Sequence, residues 1–155
     1  FLSKSVRFQL PLLSDSSYII DNEIMAMLYM SNPFLQTISK LKLLYSNILT
    51  GFNFKKIVEL ISELETPMLI LLKNEEKNHK NYAVFGGFSS EAWKNTAAYH
   101  GSAENYLFSI YPTFRNYFVE NSELAEKNYQ YLWSTDNMHN VSPIGFGNKK
   151  IFIYC

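Results

Sequence analysis

The segment Tyr82–Pro112 reads YAVFGGFSSEAWKNTAAYHGSAENYLFSIYP. It contains two short apolar runs rich in aromatic residues, Tyr82–Phe88 and Tyr106–Tyr111, and each run predicts a β-strand. The pair Gly86-Gly87 lies inside the first run, where glycine weakens a strand because it has no side chain to pack. We therefore expect either a β-bulge at this pair or a neighbouring backbone or large ring that leaves no room for a Cβ atom.

Outside this segment the sequence shows two helical patterns and several further strand patterns. Asp21 is a typical N-cap for a helix over residues 21–31 with Ile24, Met27 and Leu28 on its apolar face, and Asn53 is one for a helix that begins at Phe54. The other predicted strands are an edge strand that ends near Pro11, then Lys40–Tyr45, Met68–Leu72, Phe114–Val119 and Tyr129–Trp133. Hairpin-like connections favour antiparallel pairing. The sequence thus predicts an α+β, mainly β fold with two packed antiparallel sheets and two flanking helices.

Composition narrows the class of protein. The chain has 155 residues, which is enough for one domain with a real core, and 47% of them are hydrophobic. The formal net charge is zero, so no global electrostatic attraction to nucleic acid or anionic membranes is expected. No apolar run is long enough for a transmembrane helix. The lone cysteine, Cys155, cannot form an internal disulfide, which is typical of a reducing compartment.

A series of short motifs, in the family's order, resembles the TLDc domain of the oxidation-resistance proteins and their relatives. The central ones are FGGFSSEAW at 85–93, YHG at 99–101 and YLFSIYP at 106–112. LLYS at 43–46 precedes them, and NYQYL at 128–132 and IGFG at 144–147 follow. The resemblance covers about residues 18–150. We expect an N-terminal arm over residues 1–17 and a TLDc-like domain over 18–155 that lacks the closing strands which family members usually carry.

The resemblance also implies a function. It implies a sandwich fold and a non-enzymatic protein-interaction domain that binds the vacuolar-type proton ATPase at its peripheral sector or stalk. Such a domain regulates the assembly or activity of the pump and is linked to oxidative-stress resistance. It is cytoplasmic and associates peripherally with acidic organelles, the vacuole or lysosome, through its protein partner. No cofactor, nucleic acid, small-molecule substrate or direct membrane insertion is expected.

Two other classes of function stay open from the sequence. One is a structural component of another large assembly, such as a cytoskeletal or ciliary lattice. The other is an enzyme of unknown reaction centred on Glu91. Apolar surroundings near Trp93 would raise the pKa of this carboxyl group. Against the enzyme, Glu91 has no identifiable partner base and is as well suited to hold the glycine bend. His79, His100 and His139 lack metal-ligand spacing, so no metal is expected, and we expect His100 to serve a turn.

The candidate residues fall into three groups. The residues of the family motifs, all predicted to be structural, are Gly86, Gly87, Phe88, Ser90, Glu91, Trp93, Tyr99, Gly101, Phe108, Ser109, Tyr111, Pro112, Tyr131, Gly145 and Gly147. The candidate partner contacts are charged residues of three polar loops, namely Glu75, Glu76, Lys77, Lys80, Glu123, Glu126, Lys127 and Asp136. The side chains expected in the core are Leu44, Leu71, Phe85, Trp93, Phe108, Tyr111 and Tyr131.

Overall fold

Residues 9–75, 82–118, 130–132 and 145–146 are described by the computed structural model of the chain. The chain divides into two units, Phe1–Leu44 and Tyr45–Cys155. The domain boundary predicted near residue 18 stays a prediction. The polar loop predicted over 74–81 was wrong at its start, because Asn74 and Glu75 belong to the strand Met68–Glu75. The rest of that loop and the predicted loops over 121–128 and 134–143 lie outside the described residues.

From residue 9 onward, where its description begins, the first unit contains one helix and a pair of short strands. Strand β1 (Leu12–Leu13) pairs in parallel with β2 (Lys40–Leu41), and helix α1 (Asn22–Ser31) lies between them in sequence. The Asp21 carboxylate accepts the N–H of Ile24 at 2.8 Å, which confirms the predicted cap. The edge strand expected to end near Pro11 falls largely on residues 1–8, outside the described residues; residues 9–11 are not in a strand, and β1 begins after Pro11. The predicted strand Lys40–Tyr45 is likewise shorter than expected.

The buried face of α1 differs from the predicted one by a small rotation. Its fully buried residues are Met25, Leu28 and Tyr29, whereas Ile24 and Met27 are half-buried. Both sets have the spacing of one helical face, so the sequence pattern alone did not separate them.

The second unit begins with two helices. Helix α2 (Asn47–Thr50) is one turn long and was not predicted, whereas α3 (Phe54–Ser62) was. The Asn53 side chain accepts the N–H of Lys56 at 3.0 Å and so caps α3 as expected. Val58 and Ile61 supply the buried part of its apolar stripe.

Seven strands follow among the described residues of the second unit, and they form two antiparallel sheets. They are β3 (Met68–Glu75), β4 (Tyr82–Ser89), β5 (Thr96–His100), β6 (Tyr106–Tyr111), β7 (Arg115–Tyr117), β8 (Gln130–Leu132) and β9 (Gly145–Phe146). The four-stranded sheet has the order β3-β4-β6-β7, and the three-stranded sheet has the order β5-β8-β9. The ring of Phe146 in the second sheet contacts Gly87 in the first, so the sheets pack on one another. These observations confirm the α+β, mainly β class.

The register of the four-stranded sheet places the two glycines on opposite faces. Gly86 lies opposite Phe108, and Gly87 lies opposite Leu107. A register shift between Val84 and Phe85 interrupts the β4–β6 ladder beside the glycine pair. The extra residue at this shift is Ile110 of β6, and both glycines are paired in regular register, so the β-bulge considered for the glycine pair is not found there.

Two side chains expected in the core are exposed instead, and strand alternation explains the first. Val84 and Phe88 are buried on one face, so Phe85 points to the other face, where it is 41% exposed. Tyr111 ends β6, where its ring stacks on Tyr82 with the centroids 4.0 Å apart and remains solvent-accessible. Among the other expected core residues, Trp93 and Phe108 are buried, Leu44 and Leu71 are half-buried, and the side chain of Tyr131 lies outside the described residues.

The contrast between the two phenylalanines gives a direct test of this register. Replacing Phe108, which is 2% exposed, by Ala should lower the free energy of unfolding by about 3–5 kcal/mol, because it leaves a cavity between the packed elements. The matched change Phe85→Ala should cost less than about 1 kcal/mol. Urea denaturation of both variants measures the difference, and equal losses would contradict the assigned faces.

Candidate functional site

The glycine pair at the centre of the FGGF motif is required by close neighbours rather than by backbone conformation. A Cβ atom at Gly86 would collide with the carbonyl oxygen of Ile70 and lie 2.9 Å from Cζ of Phe108. A Cβ atom at Gly87 would lie 2.6 Å from the ring of Phe146. Neither glycine has a positive φ. The expectation of a backbone or ring too close for a side chain is thus confirmed at both positions.

A buried polar cluster begins where β4 ends. The hydroxyl of Ser89 lies 2.6 Å from the carbonyl oxygen of Glu91 and 2.6 Å from Oε1 of Gln130, and its single proton serves one of them at a time. Asn105 donates from Nδ2 to the same Oε1 at 2.7 Å, and Gln130 donates from Nε2 to the carbonyl of Ala92 at 2.9 Å. Ser89, Asn105 and Gln130 are each at most 2% exposed. Gln130 of β8 therefore joins the second sheet to the end of β4 and to the loop that follows it.

The same cluster extends to the loop before β6. Oδ1 of Asn105 accepts the backbone N–H of Ser90 at 2.9 Å and lies 3.0 Å from the Ser90 hydroxyl. That hydroxyl also lies 2.7 Å from the hydroxyl of Ser102. Both ends of the Asn105 side chain are used, one toward Ser90 and one toward Gln130. We call Ser89, Ser90, Ser102, Asn105 and Gln130 the polar cluster.

Gly101 lies against this cluster and has a backbone conformation that favours glycine. Its φ is +95°, in the left-handed region. A Cβ atom there would lie 2.7 Å from Nδ2 of Asn105 and 2.9 Å from Cδ of Gln130. Gly101 is therefore needed both for the turn and for the approach of the two amides.

Trp93 and His100 close the other side of the loop. Trp93 is buried, and its ring meets those of Phe146 and His100 edge to face, with centroids 5.2 and 6.3 Å away. Nε2 of His100 accepts the backbone N–H of Lys94 at 2.9 Å, so the proton of the neutral ring is on Nδ1, which lies 3.4 Å from the carbonyl of Ala98. Burial lowers the pKa of His100 below its usual value of 6.5; the charge of Lys94 also lowers it, while the Ala98 carbonyl and Glu91 oppose the shift. His100 thus holds the turn, as expected.

Glu91 is not placed as an acid or base would be. The residue is exposed rather than set among apolar groups, and its carbonyl oxygen is the atom in reach of Ser89. The Glu91 carboxylate was the other group expected to hold the glycine bend. The hydrogen bonds that fix the end of β4 are made by the polar cluster instead. In the part of the chain that the structure describes, no three His, Cys, Asp or Glu side chains are grouped as a metal site would need. The hydrogen bonds of this arrangement fix the loop between β4 and β5.

The remaining predicted residues are distributed as follows. Phe88 is buried, Ser109 and Tyr99 are half-buried, Pro112 is exposed after Tyr111, and Gly145 lies in β9. Of the candidate partner contacts, Glu75 ends β3, with its side chain outside the description. Gly147, His79, His139 and Cys155 lie outside the described residues, as do Glu76, Lys77, Lys80, Glu123, Glu126, Lys127 and Asp136.

Sequence reasoning missed Asn105, Gln130 and Ser102. The signal available was a polar residue inside an aromatic strand: Gln130 stands between Tyr129 and Tyr131. A buried amide at such a place must find hydrogen-bond partners, and those partners are far away in sequence. The 41-residue separation of Ser89 and Gln130 kept the pair out of any local pattern.

Comparison with known proteins identifies the family. The sequence model of the TLDc domain matches residues 13–154. The chain belongs to the TLDc domain family. It is similar to oxidation resistance protein 1 of Xenopus laevis, with 27% identity over 128 residues, which are 83% of this chain and 13% of that protein. It is also similar to nuclear receptor coactivator 7 of Mus musculus, with 24% identity over 106 residues, 68% of this chain and 11% of the relative.

This chain therefore spans a small part of the relatives that it matches, 9–13% of the length of each. The activities of those whole proteins are therefore not assigned to this chain. The family resemblance read from the motifs is confirmed, and the link of this family to oxidation resistance is carried by the name of the relatives. Among the described residues, no helix is both long and apolar enough to cross a bilayer.

Removal of the Gln130 amide tests whether the cluster stabilises the fold. Gln130→Met keeps the approximate shape of the side chain but leaves Nδ2 of Asn105 and the Ala92 carbonyl without their buried partner, while Ser89 keeps the carbonyl of Glu91. We expect a loss of at least about 1–3 kcal/mol in the free energy of unfolding, the cost of an unsatisfied buried group. The control Gln9→Met, at an exposed glutamine outside the helices and strands, should cost less than about 1 kcal/mol. Equal effects would show that the amide is dispensable.

The lowered pKa of His100 predicts a pH dependence of stability. Because the unfolded chain takes up this proton at a higher pH than the folded chain, stability should fall as the pH drops from about 6.5 through the folded-state pKa. His100→Gln removes the titration, so its unfolding free energy should depend less steeply on pH, by at most about 1.4 kcal/mol per pH unit for one proton. Urea titrations of both proteins at pH 5, 6 and 7.5 measure how their unfolding free energies differ. The other titrating groups are the same in both proteins, so the change of this difference with pH reports on His100. Parallel pH profiles of the two proteins would show that folding does not lower the pKa of His100.

Proposed function

We propose that this chain is a non-enzymatic protein-interaction domain that binds the vacuolar-type proton ATPase. It contacts the peripheral sector or stalk on the cytosolic side and regulates the assembly or activity of the pump, in connection with oxidative-stress resistance. The proposal is supported by membership of the TLDc family, for which the motif resemblance implies this partner. The names of the relatives support the link to oxidation resistance.

The observation that carries the non-enzymatic part is the way the motif uses its polar groups. Ser89, Ser90, Asn105 and Gln130 satisfy one another and nearby backbone groups inside the domain. A catalytic serine needs a base beside it, whereas the Ser89 hydroxyl faces an amide oxygen and a backbone carbonyl. The polar residues of the motif thus stabilise the fold. The proposed function therefore depends on residues at the surface of the domain.

Recognition at the surface would depend on local contacts. The formal net charge of zero gives no long-range steering toward a charged partner. A peripheral, cytoplasmic position beside acidic organelles follows from the proposed partner.

Binding to purified components tests the proposal. The full chain should bind the purified peripheral sector of the proton ATPase with a measurable Kd, and tagged chain recovered from its own cells should bring down subunits of the pump. Glu91→Gln should leave the Kd and the effect on ATP hydrolysis unchanged, because the proposal gives its carboxylate no chemical role. Absence of binding by the wild type would refute the proposal. A Glu91→Gln variant that binds normally but has no effect on the pump would favour an enzyme.

A further inference from the structure

The rings of Tyr82 and Tyr111 form a stacked pair at one end of the four-stranded sheet. Tyr82 is the first residue of β4 and Tyr111 is the last residue of β6, and these two strands are neighbours. The ring centroids are 4.0 Å apart, and the ring planes differ by 4°. Tyr82 is 38% exposed and Tyr111 is 40% exposed, so dissolved molecules reach both residues. Two phenols that contact each other and the solvent are placed to react with each other.

The register of the sheet holds the two rings together. Val84 pairs with Tyr111, and Tyr82 lies two residues before Val84 on the same face of β4, so the tyrosines are diagonal neighbours. Lys73 of β3 also pairs with Val84, and its Nζ lies 5.5 Å from the centroid of the Tyr82 ring. Because β4 lies between β3 and β6, the ammonium group and the Tyr111 ring approach Tyr82 from opposite sides.

The stacking distinguishes this pair from other exposed tyrosines. Tyr18 and Tyr117 are more exposed, at 57% and 52%. In the part of the chain that the structure describes, no aromatic ring stacks on either of them. A radical formed on such a residue couples to another phenol only after it meets one by diffusion. A phenol held in contact acts at a far higher effective concentration than one in dilute solution.

We propose that Tyr82 and Tyr111 are a site of oxidative cross-linking, where one-electron oxidants convert the stacked pair to dityrosine. Each phenol loses one electron to the oxidant and its hydroxyl proton to water, which leaves a phenoxyl radical with spin on the ring carbons beside the oxygen. One such carbon of each ring, a Cε, forms the new C–C bond. The hydrogens on these two carbons then move to the phenol oxygens, and both rings become aromatic again.

The reaction balances with hydrogen peroxide as the final oxidant. The pair loses two electrons and two protons in all, and a haem peroxidase uses these to reduce one hydrogen peroxide to two molecules of water. Both tyrosines lie at strand ends, where each ring can turn about its side-chain bonds to bring the Cε atoms together without disturbing the core.

The cross-link fastens the start of β4 to the end of β6. It closes a covalent loop over residues 82–111, which contains the glycine pair and the loop between β4 and β5. Like a disulfide, such a bond restricts the unfolded chain and so raises the melting temperature. The domain thus becomes harder to unfold under oxidising conditions. This inference is independent of the partner proposed above.

Oxidation of the dilute full chain by hydrogen peroxide and a haem peroxidase tests the site. The wild type should gain dityrosine fluorescence, lose the mass of two hydrogen atoms and stay monomeric on a denaturing gel, with the cross-link mapped between residues 82 and 111. Tyr111→Phe keeps the ring but lacks the phenol, so its yield of intramolecular dityrosine should be at least about tenfold lower. Tyr82→Phe should behave in the same way. The control Tyr117→Phe, at an exposed tyrosine outside the pair, should keep the wild-type yield.

Melting temperatures test the effect of the bond on the fold. Before oxidation, the three variants should melt within about 3 °C of the wild type, because the tyrosines that they change are exposed. After oxidation, the wild type and Tyr117→Phe should melt at a higher temperature, and Tyr111→Phe should not. A wild-type yield of intramolecular dityrosine in Tyr111→Phe, or dityrosine found only in covalent dimers, would overturn the site. A cross-linked wild type whose melting temperature is unchanged would contradict the stabilising role.

Discussion

The side-chain amide of Gln130 uses both of its ends inside the protein. Its oxygen lies within hydrogen-bond distance of Ser89 and Asn105, and its nitrogen donates to the carbonyl of Ala92. These partners belong to the end of β4, to the turn before β6 and to the connecting loop, so one residue of β8 ties together segments that are distant in sequence. A buried amide is costly to leave unpaired, and that cost makes the arrangement specific.

The glycines of the motif are explained by the same crowding. Gly101 leaves space for the amides of Asn105 and Gln130, and Gly87 leaves space for the ring of Phe146, which in turn packs on Trp93. Residues that looked like candidates for chemistry thus act together to fix one loop between two sheets. The polar side chains of these motifs are therefore used inside the domain.

The features that the sequence predicted correctly are those set by interactions between residues a few positions apart. The apolar runs 68–72, 82–88 and 106–111 gave strands, and Asp21 and Asn53 gave helix caps, because strand alternation and capping act over a few residues. Strand β5 was missed because its sequence, TAAYH, has small and polar residues where an alternating strand would show large apolar ones. The face occupied by Phe85 and the partners of Gln130 depend on contacts far away in sequence, which no local pattern contains.

Amide hydrogen exchange at Ser90 and Lys94 tests the central claim most directly. Both residues lie in the loop between β4 and β5, yet their N–H groups donate to Asn105 and His100. If the cluster makes this loop part of the cooperative core, these two amides should exchange only through global unfolding, with the same protection as amides in the middle of β4. Rapid exchange of both amides, in a protein whose β4 amides remain protected, would show that the loop opens on its own and would contradict the account.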